Sequence, residues 1–487
     1  MKSAKQIDAC QQRARLELIR FAQEMIPGFA PAPHLRLIAE KLEAVERGEI
    51  KRLIISCPPR HGKSWLVSRA FAAWWFGRHP RHYIIGCSHT QELATDFGRE
   101  VRNDMQDPIF QGIFPGVKVR KDSGAAARFH VTGGGVYIGA GVNGPITGKG
   151  AHLLLIDDPI KNQEEADSPT YRAKMKAWFR STAYTRLMPH GAIVIVQTRW
   201  HEDDLAGWVQ DELKGQNWEV LNLPAICDDL DDPMHRELGD ALWPVPAAGS
   251  EHCFPAEVLA ETKEAVGAQV WNALYQGRPS PAEGGQFKRA WMEQCYALEP
   301  EEQAKSCTFL VCSWDLNVKD LAKSDYAVGQ VWGCRLAQRF LLDQVRARMG
   351  FVSALAAVKA LRAKWPQANA ILIEDAANGP AVIDSIRNEI PGVIAINPRG
   401  SKPARAASVT PLWQAGNVWL PHAKYAPWLS DFVEEHAAFP AGKNDDQVDA
   451  ETQALEWLRF NVTTQTDIRP VQGTRTTRDL GGFAQMR

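Results

Sequence analysis

Apolar residues recur at helical spacing over residues 16–29 and again over 34–46, and Gly48 closes the second run. A short unbroken apolar stretch, Leu53-Ile54-Ile55, follows at once. Similar stretches stand at 83–86, 153–156 and 192–196, separated by segments with helical patterning. Unbroken rather than alternating apolar runs belong to strands covered on both faces, so this part of the chain predicts two helices feeding a parallel α/β sheet.

Connector-like composition, Gly277-Arg278-Pro279-Ser280-Pro281-Ala282-Glu283-Gly284-Gly285, then interrupts the pattern. Strand-like runs resume at 307–314, 327–332, 339–343 and 370–373, and a helix is expected over 448–460. The expected organisation is an N-terminal domain over 1–275 with a leading helical segment, a linker over 276–300 and a second domain over 301–460. A tail over 461–487, rich in Thr, Gly, Gln and Arg, is expected to be mobile.

At 487 residues with 45% hydrophobic content, the chain can bury two cores. Lys and Arg number 56 against 57 Asp and Glu, so any nucleic-acid surface must be local, with acidic metal sites offsetting it in the total. Nine cysteines without a C-x-x-C pair suggest neither a disulfide framework nor a zinc knuckle and fit a reducing cytoplasm. A polar N-terminus and the lack of a long apolar segment predict a soluble, unexported protein with no membrane partner.

Candidate chemistry begins at Cys57-Pro58-Pro59-Arg60-His61-Gly62-Lys63-Ser64, between the first strand and an apolar helix expected over 65–76. A phosphate-binding loop needs unobstructed backbone N–H groups, a lysine reaching the β- and γ-phosphates and a hydroxyl on magnesium; Gly62, Lys63 and Ser64 supply these at the required spacing. Pro59, Arg60 and His61 complete the expected nucleotide contacts. Cys57 departs from the pattern, which has its first glycine there. Asp157 ends an apolar run, where a magnesium carboxylate belongs. Asp158 is expected to orient the attacking water. It is one methylene shorter than the more usual glutamate, so Glu164 or Glu165 is the alternative, and a helix cap before Pro159 is the structural reading of Asp158. Polar residues in Gln197-Thr198-Arg199-Trp200-His201, Thr198 among them, stand where a strand end can sense the γ-phosphate, while Asp203 and Asp204 read as caps of the next helix.

A second constellation is acidic throughout. Asp315 follows Trp314 on a strand that otherwise reads as buried, and a buried carboxylate is costly unless a metal or partner compensates it. Glu374 ends another apolar strand. Asp446 and Asp449 lie three positions apart at a helix start, so both can face inward, although Asn444-Asp445-Asp446 also suits a helix cap. Asp315, Glu374 and Asp449, with Asp446 in addition, thus form the layout of a two-metal phosphodiesterase. Arg399-Gly400-Ser401-Lys402-Pro403-Ala404-Arg405 reads as an exposed basic loop, either bringing the DNA backbone to these acids or simply a solvated charged loop.

In their joint order, Pro58-Pro59-Arg60-His61-Gly62-Lys63-Ser64, Leu155-Ile156-Asp157-Asp158-Pro159, Gln197-Thr198-Arg199-Trp200-His201, Trp314-Asp315, Ile373-Glu374-Asp375-Ala376-Ala377-Asn378-Gly379 and Asp445-Asp446-Gln447-Val448-Asp449-Ala450 resemble the large terminase subunit of tailed bacteriophages. The resemblance covers roughly residues 15–460. It implies an α/β chain with an N-terminal RecA-like, additional-strand P-loop ATPase domain and a C-terminal RNase H-like nuclease domain. It further implies ATP and Mg2+ as cofactors, with Mn2+ an option at the nuclease, and packaging of double-stranded DNA through a portal into a procapsid. Expected partners are the portal protein, a small terminase subunit and further copies of this chain on the portal, in the host cytoplasm. Family ATPase roles fall on Lys63, Ser64, Asp157 and Asp158; nuclease roles fall on Asp315, Glu374 and Asp449, with Asp446 as an additional ligand. Two rival readings remain open at this point. A helicase or translocase shares the ATP motifs, yet no second RecA-like core follows Gln276-Gly277-Arg278. An ATP-gated scaffold would bind DNA or capsid without cutting.

Overall fold

The computed structural model describes residues 4–461 apart from 30, 145, 147–149, 230, 247–251, 282–283, 317–325, 376–382, 386, 388–389 and 443, with side chains from residue 9 onward. The expected tail beyond Asn461 and the Ala376-Ala377-Asn378-Gly379 stretch lie outside the described residues.

The apolar run at 16–29 is not one helix. Helices Ala4–Leu16 and Leu18–Met25 meet at Glu17, whose extended backbone (φ −115°, ψ 116°) turns the chain. Helix Pro33–Glu46 follows, begun by a proline whose missing N–H costs nothing in a first turn.

Eight strands then build the first sheet: β1 (Arg52–Ser56), β2 (Tyr83–Ser88), β3 (Val119–Ala125), β4 (Arg128–Val131), β5 (Val136–Gly141), β6 (Ala151–Asp157), β7 (Leu187–Gln197) and β8 (Glu219–Asn222), in the order β3-β4-β5-β2-β6-β7-β1-β8. From β5 to β8 all pairs are parallel. Alternate residues explain the unbroken apolar runs, because each face is covered: Leu53 and Ile55 join one core with Leu153, Leu155 and Val194, whereas Ile54 joins the opposite core with Leu154, Ile156 and Ile193. β3 was invisible as a pattern because it is a largely exposed, antiparallel edge strand.

Seven strands form the second sheet: β9 (Cys295–Tyr296), β10 (Phe309–Leu316), β11 (Ala327–Arg335), β12 (Gln338–Ala347), β13 (Ala370–Glu374), β14 (Val393–Ile396) and β15 (Val418–Pro421), ordered β14-β13-β10-β11-β12-β15-β9. β10, β11 and β12 are antiparallel; β13 joins β10 in parallel. Trp314 lies fully buried against Gly329, where a Cβ would stand 2.5 Å from the indole, so this strand pair closes only over a glycine. Between the sheets, Gln276 is bonded to both the N–H and the carbonyl of Ile226, while Gly285 donates to Ala437 and Phe287 is buried in the second core. Among the described residues no helix is long and apolar enough to cross a membrane.

Helix Asp446–Asn461 packs on the β10–β11 face and is tied to its neighbours by a buried ion pair. Glu451 accepts from the Trp413 indole N–H at 2.6 Å and sits 2.6 Å from His436 Nε2, with His436 and Glu451 fully buried. Burial works to lower the His436 pKa, but Glu451, the Phe432 carbonyl and Glu435 together outweigh it and the net shift is upward. A folded-state pKa above the unfolded one gives stability that is complete below the ordinary value and is lost as pH rises through the elevated one. His436→Leu should therefore cost about 3–5 kcal/mol at mildly acid pH, by leaving Glu451 buried and unpaired. Urea melts across pH 5–9 should show wild-type stability falling on the alkaline side, as His436 loses its proton, and the variant less stable at the acid end.

Candidate functional site

Parallel registry fixes the first site. Asp157 at the end of β6 stands beside Val196 of β7, and Gln197 of β7 stands beside Ser56 of β1, so the loops leaving β6, β7 and β1 emerge in one row at the carboxyl edge. The strand bearing the loop lysine and the strand bearing Asp157 are not neighbours; β7 lies between them. That interposed strand is the additional strand expected of the ATPase class.

The loop is held from below. Cys57 extends β1 by donating its N–H to Gln197 O, and its buried thiol is pushed up to about 12 by desolvation, so it serves packing rather than chemistry. His61 is fully buried, stacked on Phe254 at 4.4 Å, with Nδ1 bonded to Pro59 O and its own carbonyl accepting from His34 Nε2. Desolvation draws its pKa down to about 3, so the ring is neutral. The structure thus makes His61 an internal strut of the loop, while Arg60 is exposed and Pro59 half-buried. Gly62 at φ 82° and Arg60 at φ 60° take the left-handed turns the loop requires.

At the centre, Lys63 Nζ donates to Thr198 Oγ1 at 2.9 Å and lies 3.2 Å from Asp158 Oδ2. Burial works to lower the lysine pKa, but Asp158, Cys57 and Asp157 more than offset it. Ser64 and Ser68 hydroxyls donate to the two oxygens of Asp157, at 3.2 and 2.5 Å. Burial and the adjacent Asp158 raise the Asp157 pKa, against the pull of Lys63. Asp158 takes a left-handed backbone (φ 41°), and its Oδ1 accepts from the Thr198 N–H at 2.6 Å. Strained backbone of this kind persists where the surroundings over-determine it. Glu165, by contrast, is engaged in closing its own helix: it accepts from Lys161 N–H at 3.0 Å while Asn162 caps its N–H, and Glu164 is exposed. Asp204 caps the following helix through Gly207 N–H and is fully buried against Arg199; Asp203 pairs with Lys176. Sequence reasoning missed Ser68, one helical turn beyond Ser64, where helix periodicity alone would have placed it on the same face.

The second site is also set by register. Trp314 pairs with Ile373 in parallel, which brings the next residues, Asp315 and Glu374, side by side at the strand ends. Ser313, two positions before Asp315 and on the same face, donates to Ala450 O at 2.7 Å and so docks the last helix. Cross-strand partners of Ser313 continue the polar row: Gln330 on β11 and Gln344 on β12 hold the backbone O and the side chain of Gln447 at 3.0 and 2.8 Å. Glu435 binds the N–H and side-chain amide of Gln447, both at 2.6 Å. This buried network aims the first helical turn, and Asp446 and Asp449 are both only 4% exposed as a result. Polar residues within apolar strands at 330 and 344 were the available signal.

Like charges are evident here. Asp315 has a pKa well above the ordinary carboxylate value through burial first and then the neighbouring Glu374, Asp449 and Asp446; Lys402 acts against them. Glu374 is raised by burial and Asp449, opposed by Arg405 and Lys402. Hard carboxylate oxygens suit Mg2+ or Mn2+. Nevertheless, among the described residues no three acidic, His or Cys side chains are gathered to hold a metal ion. Asp449 is taken up instead by Lys402 and Arg405, at 2.8 and 2.6 Å, and Asp445 by Lys402 at 2.5 Å. Residues 399–404 are exposed as expected, but from Lys402 onward the segment is helical rather than a loop, and Arg405 is turned against Asp449. Pro403 sits in the first turn of helix Lys402–Gln414, and the buried Asp449 draws in the Arg405 guanidinium while Lys402 reaches it from the exposed side.

Known families match both parts of the chain. Residues 54–294 match the family model described as terminase large subunit, T4likevirus-type, N-terminal, and residues 312–457 match the terminase RNaseH-like domain. No curated protein matches the chain. Similar solved structures include the large terminase of a thermophilic bacteriophage in complex with ATP-gamma-S (12% identity, 86% of this chain and 98% of that one, TM-score 0.32). Others are the HK97 bacteriophage large terminase (11%, 85% and 93%, 0.35) and the large terminase nuclease of thermophilic phage G20c with bound magnesium (14%, 36% and 98%, 0.26). With both family domains present in order over most of its length, this chain belongs to the terminase large-subunit family, the ATPase and nuclease of phage DNA packaging.

Proposed function

We propose that the N-terminal site hydrolyses ATP with Lys63, Ser64, Asp157 and Asp158, and that the C-terminal site cuts double-stranded DNA with Asp315, Glu374 and Asp449, aided by Asp446. A divalent metal, Mg2+ or Mn2+, supplies charge neutralisation at the phosphates and an activated water at the scissile bond. Ser64 and Asp157 would hold it in the first site and the four acids in the second.

In the ATPase, Gly62 and its neighbours present backbone N–H groups to the phosphates, and Lys63 stabilises charge on the transferred group. Asp158 holds the attacking water. Thr198 connects the two, since its hydroxyl meets Lys63 and its N–H meets Asp158. Departure of the γ-phosphate would thus be felt at the end of β7 and passed through Arg199 and Asp204 to the following helix. The observation that carries this reading is the bridged position of Asp158 between Lys63 and Thr198, which Glu165 does not share.

Asp158→Asn should bind ATP within a few-fold of wild type and hydrolyse it about 10²–10⁴-fold more slowly, as loss of a general base does. Asp157→Asn should instead weaken Mg2+-dependent ATP binding itself. Nucleotide binding and phosphate release, measured side by side, separate the two. Should Glu165→Gln show the bind-without-hydrolysis behaviour and Asp158→Asn remain active, the water-holding role passes to Glu165. Family membership supports the remaining assignments: portal protein, small terminase subunit and further copies of this chain as partners, at a procapsid in the host cytoplasm.

A further inference from the structure

Two cations stand on one carboxylate at the start of the last helix. Asp449, only 4% exposed as a side chain, has one oxygen 2.6 Å from Arg405 Nη2 and the other 2.8 Å from Lys402 Nζ. Lys402 also reaches Asp445 Oδ1 at 2.5 Å. A buried carboxylate beside Asp315, Glu374 and Asp446 is costly without counter-charge, and these two side chains supply it. They differ in freedom. Arg405 is 11% exposed and presents a planar, rigid fork; Lys402 is 46% exposed, at the end of a flexible stem in the first turn of its helix.

We propose that Lys402 is an exchangeable counter-ion of the nuclease: in the metal-free chain it closes the acidic cluster, and a divalent cation takes its place on Asp449 while Arg405 stays and holds that carboxylate in position. The inference rests on the acidic cluster being the metal site. Metal affinity in the resting chain is held down because each metal must displace a tethered ammonium already at high effective concentration.

The test is Mn2+ binding by calorimetry to the full-length, nucleotide-free chain, with thermal unfolding in parallel. Lys402→Gln should bind Mn2+ about tenfold more tightly than wild type, equivalent to about 1.4 kcal/mol. Its unfolding temperature should drop without metal and match wild type at saturating Mn2+. Arg405→Gln should bind Mn2+ more weakly. Unchanged or weaker binding in Lys402→Gln, with circular dichroism and ATP hydrolysis at wild-type level, overturns the proposal, as does equal tightening in Arg405→Gln. Asp315→Ala separates the layers: if it leaves Mn2+ binding intact, the nuclease assignment itself falls; if it removes binding while Lys402→Gln fails to tighten it, only the counter-ion idea falls.

Discussion

Lys63→Ala should abolish ATP hydrolysis in the purified chain, by at least about 10²–10³-fold, and leave metal-dependent DNA cutting at the wild-type rate. Removing one preorganised charge from a water-poor site carries a penalty of that order. Here the loss is compounded, because Lys63 is the buried cation facing both Asp158 and Asp157. Without it two adjacent carboxylates confront the incoming phosphates with nothing to offset them. Cutting survives because the nuclease acids are carried by another sheet with its own core. Phosphate release and plasmid cleavage from one preparation check both halves of this expectation; wild-type hydrolysis in the variant would remove the loop from the account.

Asp315→Ala should give the mirror result: no detectable cutting at any salt concentration, with ATP hydrolysis retained. Asp315 lies on β10, between β13 and β11, next to Glu374 and under the start of the last helix, so no neighbour can replace its oxygens. Stability should move the other way. Burial and three acidic neighbours hold the Asp315 pKa well above the unfolded value, so the folded chain binds more protons and loses stability as pH rises beyond the ordinary carboxylate range. Asp315→Asn, keeping the shape without the charge, should raise the unfolding temperature of metal-free protein at neutral pH and flatten its pH dependence. A metal-free variant less stable than wild type would mean that Asp315 is a paired structural acid.

Much of this was legible because chemistry and pattern coincide in the sequence. Runs such as Leu53-Ile54-Ile55 and Leu153-Leu154-Leu155-Ile156 are apolar on both faces, so they announce central parallel strands, and the functional residues follow directly at their ends. β3, β8 and β15 were illegible for the opposite reason: they lie at or near sheet edges, and β3 and β8 are partly exposed, where side-chain pattern is not constrained. The acids at 315, 374, 446 and 449 could be named, but not their partners. Nothing local to Lys402 and Arg405 distinguishes a solvated basic loop from a pair of counter-ions to a buried acid, since that choice is made by Asp449 more than forty residues away. The packing of the His61 ring was illegible in the same way. A histidine inside a phosphate loop reads as a ligand until Phe254 and His34 are seen to enclose it.

The proposed function requires that one chain hold a nucleotide site and a separate metal-dependent cutting site at these residues. Anomalous diffraction from crystals grown with a non-hydrolysable ATP analogue and Mn2+ tests it directly. Manganese is expected beside Ser64 and Asp157, with the nucleotide phosphates on the Gly62–Lys63 backbone, and at a second position bounded by Asp315, Glu374 and Asp449. Nucleotide bound away from Lys63, or manganese absent from the second cluster at saturating concentration, would contradict it.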